Sequence, residues 1–420
     1  MPSDVHRAVT ATAPGRVNLI GGHVDFHEGI VVPMAIDRCV TVRLDPRHDR
    51  QLVIDSDLDG GTLRIDLDRP AGLHREESAG SRESAGSRES AGSRWGGREP
   101  GWARLTRAVV DDVASAATLG GASVSIRSTL PAGGGLSSSA AFEVALAGAL
   151  IAVSGGEIDP VRLARRCQAA EIAATGVECG IQDQLAVALG GLFELDCREV
   201  GSDPDRSEAG GLFEPGCRET AATGVRPLSL PDGCGVVIVD SGVRRTLAGS
   251  GWGELRAESF RDAAAIGVRV LRDAGPAQVA DRPRARHVVD EIARASAFAA
   301  AARRGDAVEC GRLMLDSHRS SRDLWGSSVP ELDRLVETLM DAGAFGARLT
   351  GGGFGGGGVG LGPAGVCGGA TGRLAGRVGG RPGSGGVGRG SSRRPGGAAV
   401  AGTDRAAGLT PAQVAAWRGQ

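Results

Sequence analysis

Four segments of this 420-residue sequence gather residue types that could do chemistry together. Leu130 to Ala141 reads LPAGGGLSSSAA and runs into an apolar stretch. Gly133, Gly134 and Gly135 let a backbone approach a ligand closely, and a serine run opening a helix offers free amides and a positive dipole end to phosphate. The hydroxyls of Ser137, Ser138 and Ser139 can cap those amides or bind magnesium. Ala13 to Asp37 crowds Arg16, His23, Asp25, His27 and Glu28 around a glycine-punctuated turn between two apolar runs, a donor and acceptor set suited to sugar hydroxyls. In Cys167 to Leu189 a helix carrying Glu171 ends at Gly176 and a short loop presents Asp183. Ala347 to Gly358 reads ARLTGGGFGGGG. Each segment alone has a plainer explanation: an N-capped helix, a self-bonded turn, a capping or ion-paired carboxylate, a linker.

Composition removes whole classes of mechanism. All 48 basic residues are arginine, so the lysine of a Walker A loop, of a protein-kinase strand or of a Schiff base cannot be present. A formal net charge of -2 predicts no nucleic-acid partner. No two of the eight cysteines have metal-site or redox spacing, which favours a reduced cytoplasm. Met1 to Arg16 lacks a secretory pattern and the longest apolar run, Val144 to Val153, is too short for a membrane span, so neither export nor membrane insertion is expected.

The elements that must position these residues are partly readable. Strands are expected at Val40 to Leu44, Leu63 to Leu67, Ala122 to Ile126 and Val236 to Asp240. Helices are expected at Ser138 to Val153, Pro160 to Thr175, Gly253 to Arg272, Ala285 to Arg303 and Pro330 to Ala342. Their mixture without strict alternation favours α+β. Two stretches look like local duplications: ESAGSR three times in Glu77 to Arg94, read as a disordered loop, and GGLFELDCRE at Gly190 to Glu199 echoed as GGLFEPGCRE at Gly210 to Glu219. Residues 351 to 400 hold 23 glycines, so residues 363 to 420 read as a poorly ordered Gly/Arg-rich tail or a shifted reading frame.

Taken in order, GRVNLIGGHVDF, PAGGGLSSSAA, CGIQDQ and LTGGGFGG resemble the motifs of the GHMP superfamily of small-molecule kinases, and within it the galactokinase family. VVIVDSGVRRTLAGS, HVVDEIAR and SHRSSRD with PELD add to the likeness, which spans residues 11 to 362. The resemblance implies a two-domain GHMP kinase fold with a ribosomal protein S5 domain 2-like N-terminal lobe over 1–195, a ferredoxin-like C-terminal lobe over 196–362 and the active site in the cleft between them. It implies Asp183 as the base that deprotonates the anomeric hydroxyl of a sugar, a role an ionised carboxylate can fill, with Arg16 beside it stabilising the transferred charge. ATP would be bound by Gly133, Gly134, Gly135, Leu136, Ser137, Ser138 and Ser139, Mg²⁺ by Ser139 and Glu171, and sugar by Gly22, His23, Val24, Asp25, Gly180 and Trp252. A cytoplasmic monomer taking only sugar and ATP as partners is the expectation.

Three positions depart from the family pattern. Gly22 replaces a glutamate that holds the exocyclic end of the sugar, a charged contact commonly worth about 1.5 to 3 kcal/mol. Trp252 replaces a tyrosine. GGGGVGLGPAG stands where a buried apolar strand should continue, and the terminal strand and helix are not recognisable. A kinase for galacturonate, arabinose or another hexose, and a catalytically weak sugar or nucleotide sensor, are the alternatives.

Overall fold

The computed structural model describes residues 8–57, 61–68, 101–116, 118–131, 133–201, 224–243, 251–365 and 399–400. The ESAGSR repeats, the second GGLFE copy and most of the glycine-rich C-terminal segment lie outside the described residues.

The chain opens on two long antiparallel strands, β1 (Val9–Ile20) and β2 (Ile30–Pro46), paired from Val9↔Leu44 to Ile20↔Val32. The apolar runs flanking the glycine-punctuated turn are therefore strands, and the turn is the loop that joins them. β1 is irregular between Pro14 and Arg16 and again between Asn18 and Ile20, which re-aims side chains near its end. β2 also pairs with β5 (Ala122–Ser128), and β3 (Gln51–Ser56) lies parallel to β5 and antiparallel to β4 (Gly61–Asp66). Past the other end, β6 (Phe193–Asp196) and β7 (Val225–Pro227) complete a seven-stranded sheet. Helices α1 (Gly101–Ala116), α2 (Ser138–Val153), α3 (Pro160–Thr175) and α4 (Gln182–Leu189) pack with one another and with β1 and β2. α2 is apolar all round and buried from Ala140 to Ile151, as a helix enclosed on every side must be. α3 keeps its expected limits because Asp159 accepts from the Arg162 amide, Pro160 sits in the first turn and Gly176 caps the end at φ 70°.

A short helix α5 (Cys197–Gly201) follows β6. The second sheet has the order β11-β8-β10-β9, all antiparallel, from β8 (Cys234–Asp240), β9 (Gly346–Thr350), β10 (Gly357–Pro363) and β11 (Ala399–Val400). Because β6 and β7 belong to the first sheet, the chain passes from one sheet to the other between Pro227 and Cys234. α6 (Trp252–Ile266) stops at Gly267, φ 86°, six residues short of the helix expected there. α7 (Pro283–Arg303) touches β1, β2 and α8 (Ala307–Ser320), and so spans the two halves; α8 and α9 (Pro330–Asp341) cover the second sheet.

The second sheet corrects two expectations. GGVGLGP is a central, buried strand in spite of its glycines, which are there because α9 lies so close: a Cβ on Gly358 would meet Leu335 Cδ2 at 2.4 Å. Ala399–Val400 pairs with Val237 and Ile238, so the segment expected to be tail throughout supplies a strand.

Candidate active site

Arg16 leaves the irregular part of β1 with its side chain buried, and its guanidinium meets the first turn of α4. Nε donates to Asp183 Oδ1 at 2.8 Å, while Nη2 donates to Oδ1 and Oδ2 at 2.6 Å each. The third nitrogen, Nη1, donates to the carbonyl of Gly135 at 2.8 Å, and the Arg16 amide donates to the Leu136 carbonyl at 3.1 Å. Asp183 also accepts from Ser137 Oγ at 2.6 Å. Its side chain is 35% exposed against 6% for Arg16, so the carboxylate opens to the site while its cation is sealed behind it.

Ser137 is the N-cap of α2 but has φ 54° and gives no side chain to that helix's amides. Its hydroxyl goes to Asp183, a use the sequence did not suggest. Gly133 and Gly135 take φ 69° and 74°, which only glycine adopts freely. The turn after β9 lies backbone on backbone against them, for a Cβ on Gly351 would come within 2.9 Å of the Gly135 carbonyl. Leu136 is buried beneath the turn, and Ser138 and Ser139 begin α2 at intermediate exposure.

One turn before the end of α3, Glu171 accepts from Ser139 and, at 2.6 Å, from Gln184 Nε2. The same amide reaches Glu143 Oε2 at 3.3 Å, and Glu143 Oε1 has no hydrogen-bond partner among the described residues. Burial, then the Asp183 charge, raises the Glu171 carboxyl above its usual range. Burial, then Glu171, raises Glu143 well above its own. Two acids without a paired cation among the described residues are thus held next to the glycine-rich turn that opens α2. These are hard oxygen donors of the kind magnesium takes, so Ser139 and Glu171 fit that ion. Glu143 was missed in the sequence, although a lone acid inside FEVALAGALIAV, four residues after Ser139, was a signal.

The loop between β1 and β2 supplies the other wall. Asp25 stands against Gly180, where a Cβ would lie 1.8 Å from Asp25 Oδ2. Burial and the neighbouring Asp183 raise the Asp25 carboxyl to about 6, against smaller opposing contributions from backbone hydrogen bonds and Arg16. Val24 is fully buried and acts through its carbonyl, which accepts from His27 and Gly29. Two expected contacts change character. The His23 ring, 7% exposed, stacks on Trp325 at 5.1 Å and backs the turn instead of facing outward. Trp252 meets Phe26 edge-on at 5.8 Å from the start of α6. Gly22 is enclosed, its missing Cβ pointing 2.4 Å from Nη2 of Arg348. Arg348, 1% exposed, donates from Nη1 to the Asn18 carbonyl, while Nε and Nη2 have no partner among the described residues.

A carboxylate held by a buried arginine at the mouth of a glycine-rich turn is an arrangement suited to phosphoryl transfer onto a small hydroxylated molecule. The family models agree: residues 104–191 match the GHMP kinases N terminal domain, 298–364 the GHMP kinases C terminal, and 4–46 the galactokinase galactose-binding signature. The chain is 37% identical over 372 residues to a galactokinase of Roseiflexus sp. (strain RS-1), covering 84% of this chain and 83% of that one. It is 35% identical to the Homo sapiens galactokinase over 83% of this chain and 82% of the relative. The Lactococcus lactis galactokinase solved with galactose superposes with a TM-score of 0.68 at 25% identity, covering 89% of this chain and 92% of that one. A Methanococcus jannaschii mevalonate kinase shares the fold at a TM-score of 0.57 and 18% identity, covering 86% of this chain and 92% of that one. The chain belongs to the galactokinase family of GHMP kinases, phosphotransferases with an alcohol group as acceptor.

Proposed function

We propose that this protein transfers the γ-phosphoryl group of ATP to the anomeric hydroxyl of D-galactose, giving α-D-galactose 1-phosphate and ADP. The observation that carries the reading is the Asp183 carboxylate, open to the site, fixed by Arg16 and Ser137, and neighboured by Asp25 of the sugar-signature loop.

In the reaction Asp183 takes the proton of the anomeric O–H as that oxygen bonds to the γ-phosphorus and the bond to the β–γ bridging oxygen breaks. Three protein donors hold the base in one orientation, so little reorganisation remains for the moment of transfer. Arg16 keeps a buried positive charge beside the transferred group. Asp25, backed by Gly180, accepts from sugar hydroxyls, with Trp252 and Phe26 forming an apolar edge. Gly133 to Ser139 present amides to the phosphates. Ser139 and Glu171 would hold Mg²⁺, which when bound neutralises developing phosphate charge. A reducing, cytoplasmic setting is the reading that the free thiols among the described cysteines favour, and the monomer is carried over from the resemblance alone. Among the described residues no helix is long and apolar enough to cross a membrane.

The test is ADP release from MgATP across a panel of free sugars. Galactose should be the best substrate, and a protein idle with every sugar would turn the reading toward a sensor. Arg348, with unpaired donors against Gly22, makes galacturonate the most informative competitor, because an acidic C6 group could satisfy them.

A further inference from the structure

The loop read above as holding the sugar is itself held from a distant helix. Gly21 and Gly22 both donate their backbone N–H to one oxygen, Glu291 Oε1, at 2.9 and 3.0 Å. That oxygen also accepts from Ser317 Oγ at 2.5 Å, and Arg294 pairs with Glu291 Oε2. The carbonyl of Gly22 accepts from His287 Nε2 at 3.0 Å. Because a carbonyl can only accept, the ring carries its proton on Nε2 and its Nδ1 accepts from Ser320 Oγ at 2.8 Å. Glu291 and His287 stand one turn apart on α7, some 270 residues along the chain from the glycines they grip.

The grip falls where the backbone needs it. Gly21 has φ 87° and His23 φ 62°, and a non-glycine residue in that region persists only when its surroundings fix it. Both peptide groups of Gly22 are engaged by α7, and Asp25 follows three residues later against Gly180. Burial pushes the Glu291 carboxyl up, but the charges of Arg348 and Arg294 outweigh it and hold it at about 2, so the acceptor is an anion throughout the working range. Burial lowers His287 to about 4, which keeps the ring neutral.

We infer that Glu291 and His287 are positioning residues for sugar recognition: by clamping the Gly21–Gly22 peptides they set where Asp25 meets the sugar, without touching substrate themselves. The inference rests on the reading of that loop as sugar-binding.

Two measurements decide it, on wild type, Glu291→Gln and His287→Leu. The first is steady-state kinetics with each substrate varied in turn. Glu291→Gln should raise KM for galactose roughly tenfold or more, since small misplacements of recognition groups are costly. His287→Leu, which removes the neutral hydrogen bonds of the ring to the Gly22 carbonyl and to Ser320 Oγ, should raise it about two- to fivefold. KM for ATP should stay within about twofold in both. The second is backbone amide exchange of the 17–25 segment in the protein without substrates. It should quicken about tenfold in Glu291→Gln, while 133–139 exchanges as before.

Equal rises in both KM values, or a loss confined to the active fraction, would show an ordinary structural role and overturn the inference. So would unchanged exchange at 17–25. If Glu291→Gln does not fold, His287→Leu decides by the same split between the two KM values. A wild type idle with galactose would bring down the proposed function, and the exchange arm would still decide whether α7 holds the loop.

Discussion

Two groups of carboxylates face the same site and are treated oppositely. Asp183 has a resident cation: Arg16 gives it three contacts, Ser137 a fourth, and its side chain keeps a third of its surface open. Glu171 and Glu143 have no paired cation among the described residues and share one amide of Gln184; burial pushes both toward the protonated form, helped by the Asp183 charge at Glu171 and by the Glu171 charge at Glu143. The difference separates a permanent function from a conditional one. On the proposed reading, the acid that accepts a proton in every turnover is fixed by a covalent part of the chain, whereas acids beside a metal that would come and go with nucleotide are left unneutralised until it arrives.

The contrast is broken most severely at Asp183. Asp183→Asn should lower galactose phosphorylation by a factor of about a thousand, since a positioned general base is worth 10²- to 10⁴-fold, while ATP binding is retained. A variant with near wild-type ADP release would reassign the base. Next in size, Glu171→Gln should raise the Mg²⁺ concentration for half-maximal rate about tenfold with a smaller change in saturated rate. Glu143→Gln should shift it by less than about threefold, because Glu143 reaches the ion only through Gln184. If the two variants behaved alike, the pair would be a single metal site and the distinction between them would fall.

Asp25 offers a sharper test by pH. Its pKa of about 6 means that below that pH it is protonated, one oxygen turning from charged acceptor to donor, and that above it both oxygens accept from sugar hydroxyls as a carboxylate. Galactose kcat/KM should therefore climb as pH rises through about 6, and Asp25→Asn should flatten the climb while weakening sugar binding. Since the Asp183 charge contributes to that raised value, Asp183→Asn should lower the pH at which sugar binding improves, read by direct sugar titration. The smallest effect is expected at Gly22. A Cβ there meets the buried guanidinium end of Arg348, which must shift slightly, so Gly22→Ala should cost about 1 kcal/mol, seen as a drop of a few degrees in Tm.

The sequence revealed what short range determines. The Asp159–Pro160 start and Gly176 stop delimit α3, and the serines at 137–139 open α2 where expected. The motif order disclosed which residues meet, because neither Arg16 nor Asp183 announces a partner 167 residues away. What escaped was set by packing. β10 reads as linker because Gly358 answers to Leu335 on another helix, and no local signal says that β7 pairs back onto β6 in the first sheet. HVVDEIAR was visible as a likeness, but nothing local in it says that Glu291 and His287 grip a loop at the other end of the chain. α1 and α8 went unread, although both carry an ordinary amphipathic pattern.

Arg16 bonds Asp183 with two nitrogens and the Gly135 carbonyl with the third. On the proposed reading, one rigid, planar group therefore belongs to both substrate sites at once. Any shift that nucleotide imposes on the Gly135 turn is felt at the base, and reciprocity requires sugar to act back on nucleotide by the same factor. The two dissociation constants, each measured with and without the other substrate, should thus form a closed thermodynamic square, with this guanidinium as the link between its corners.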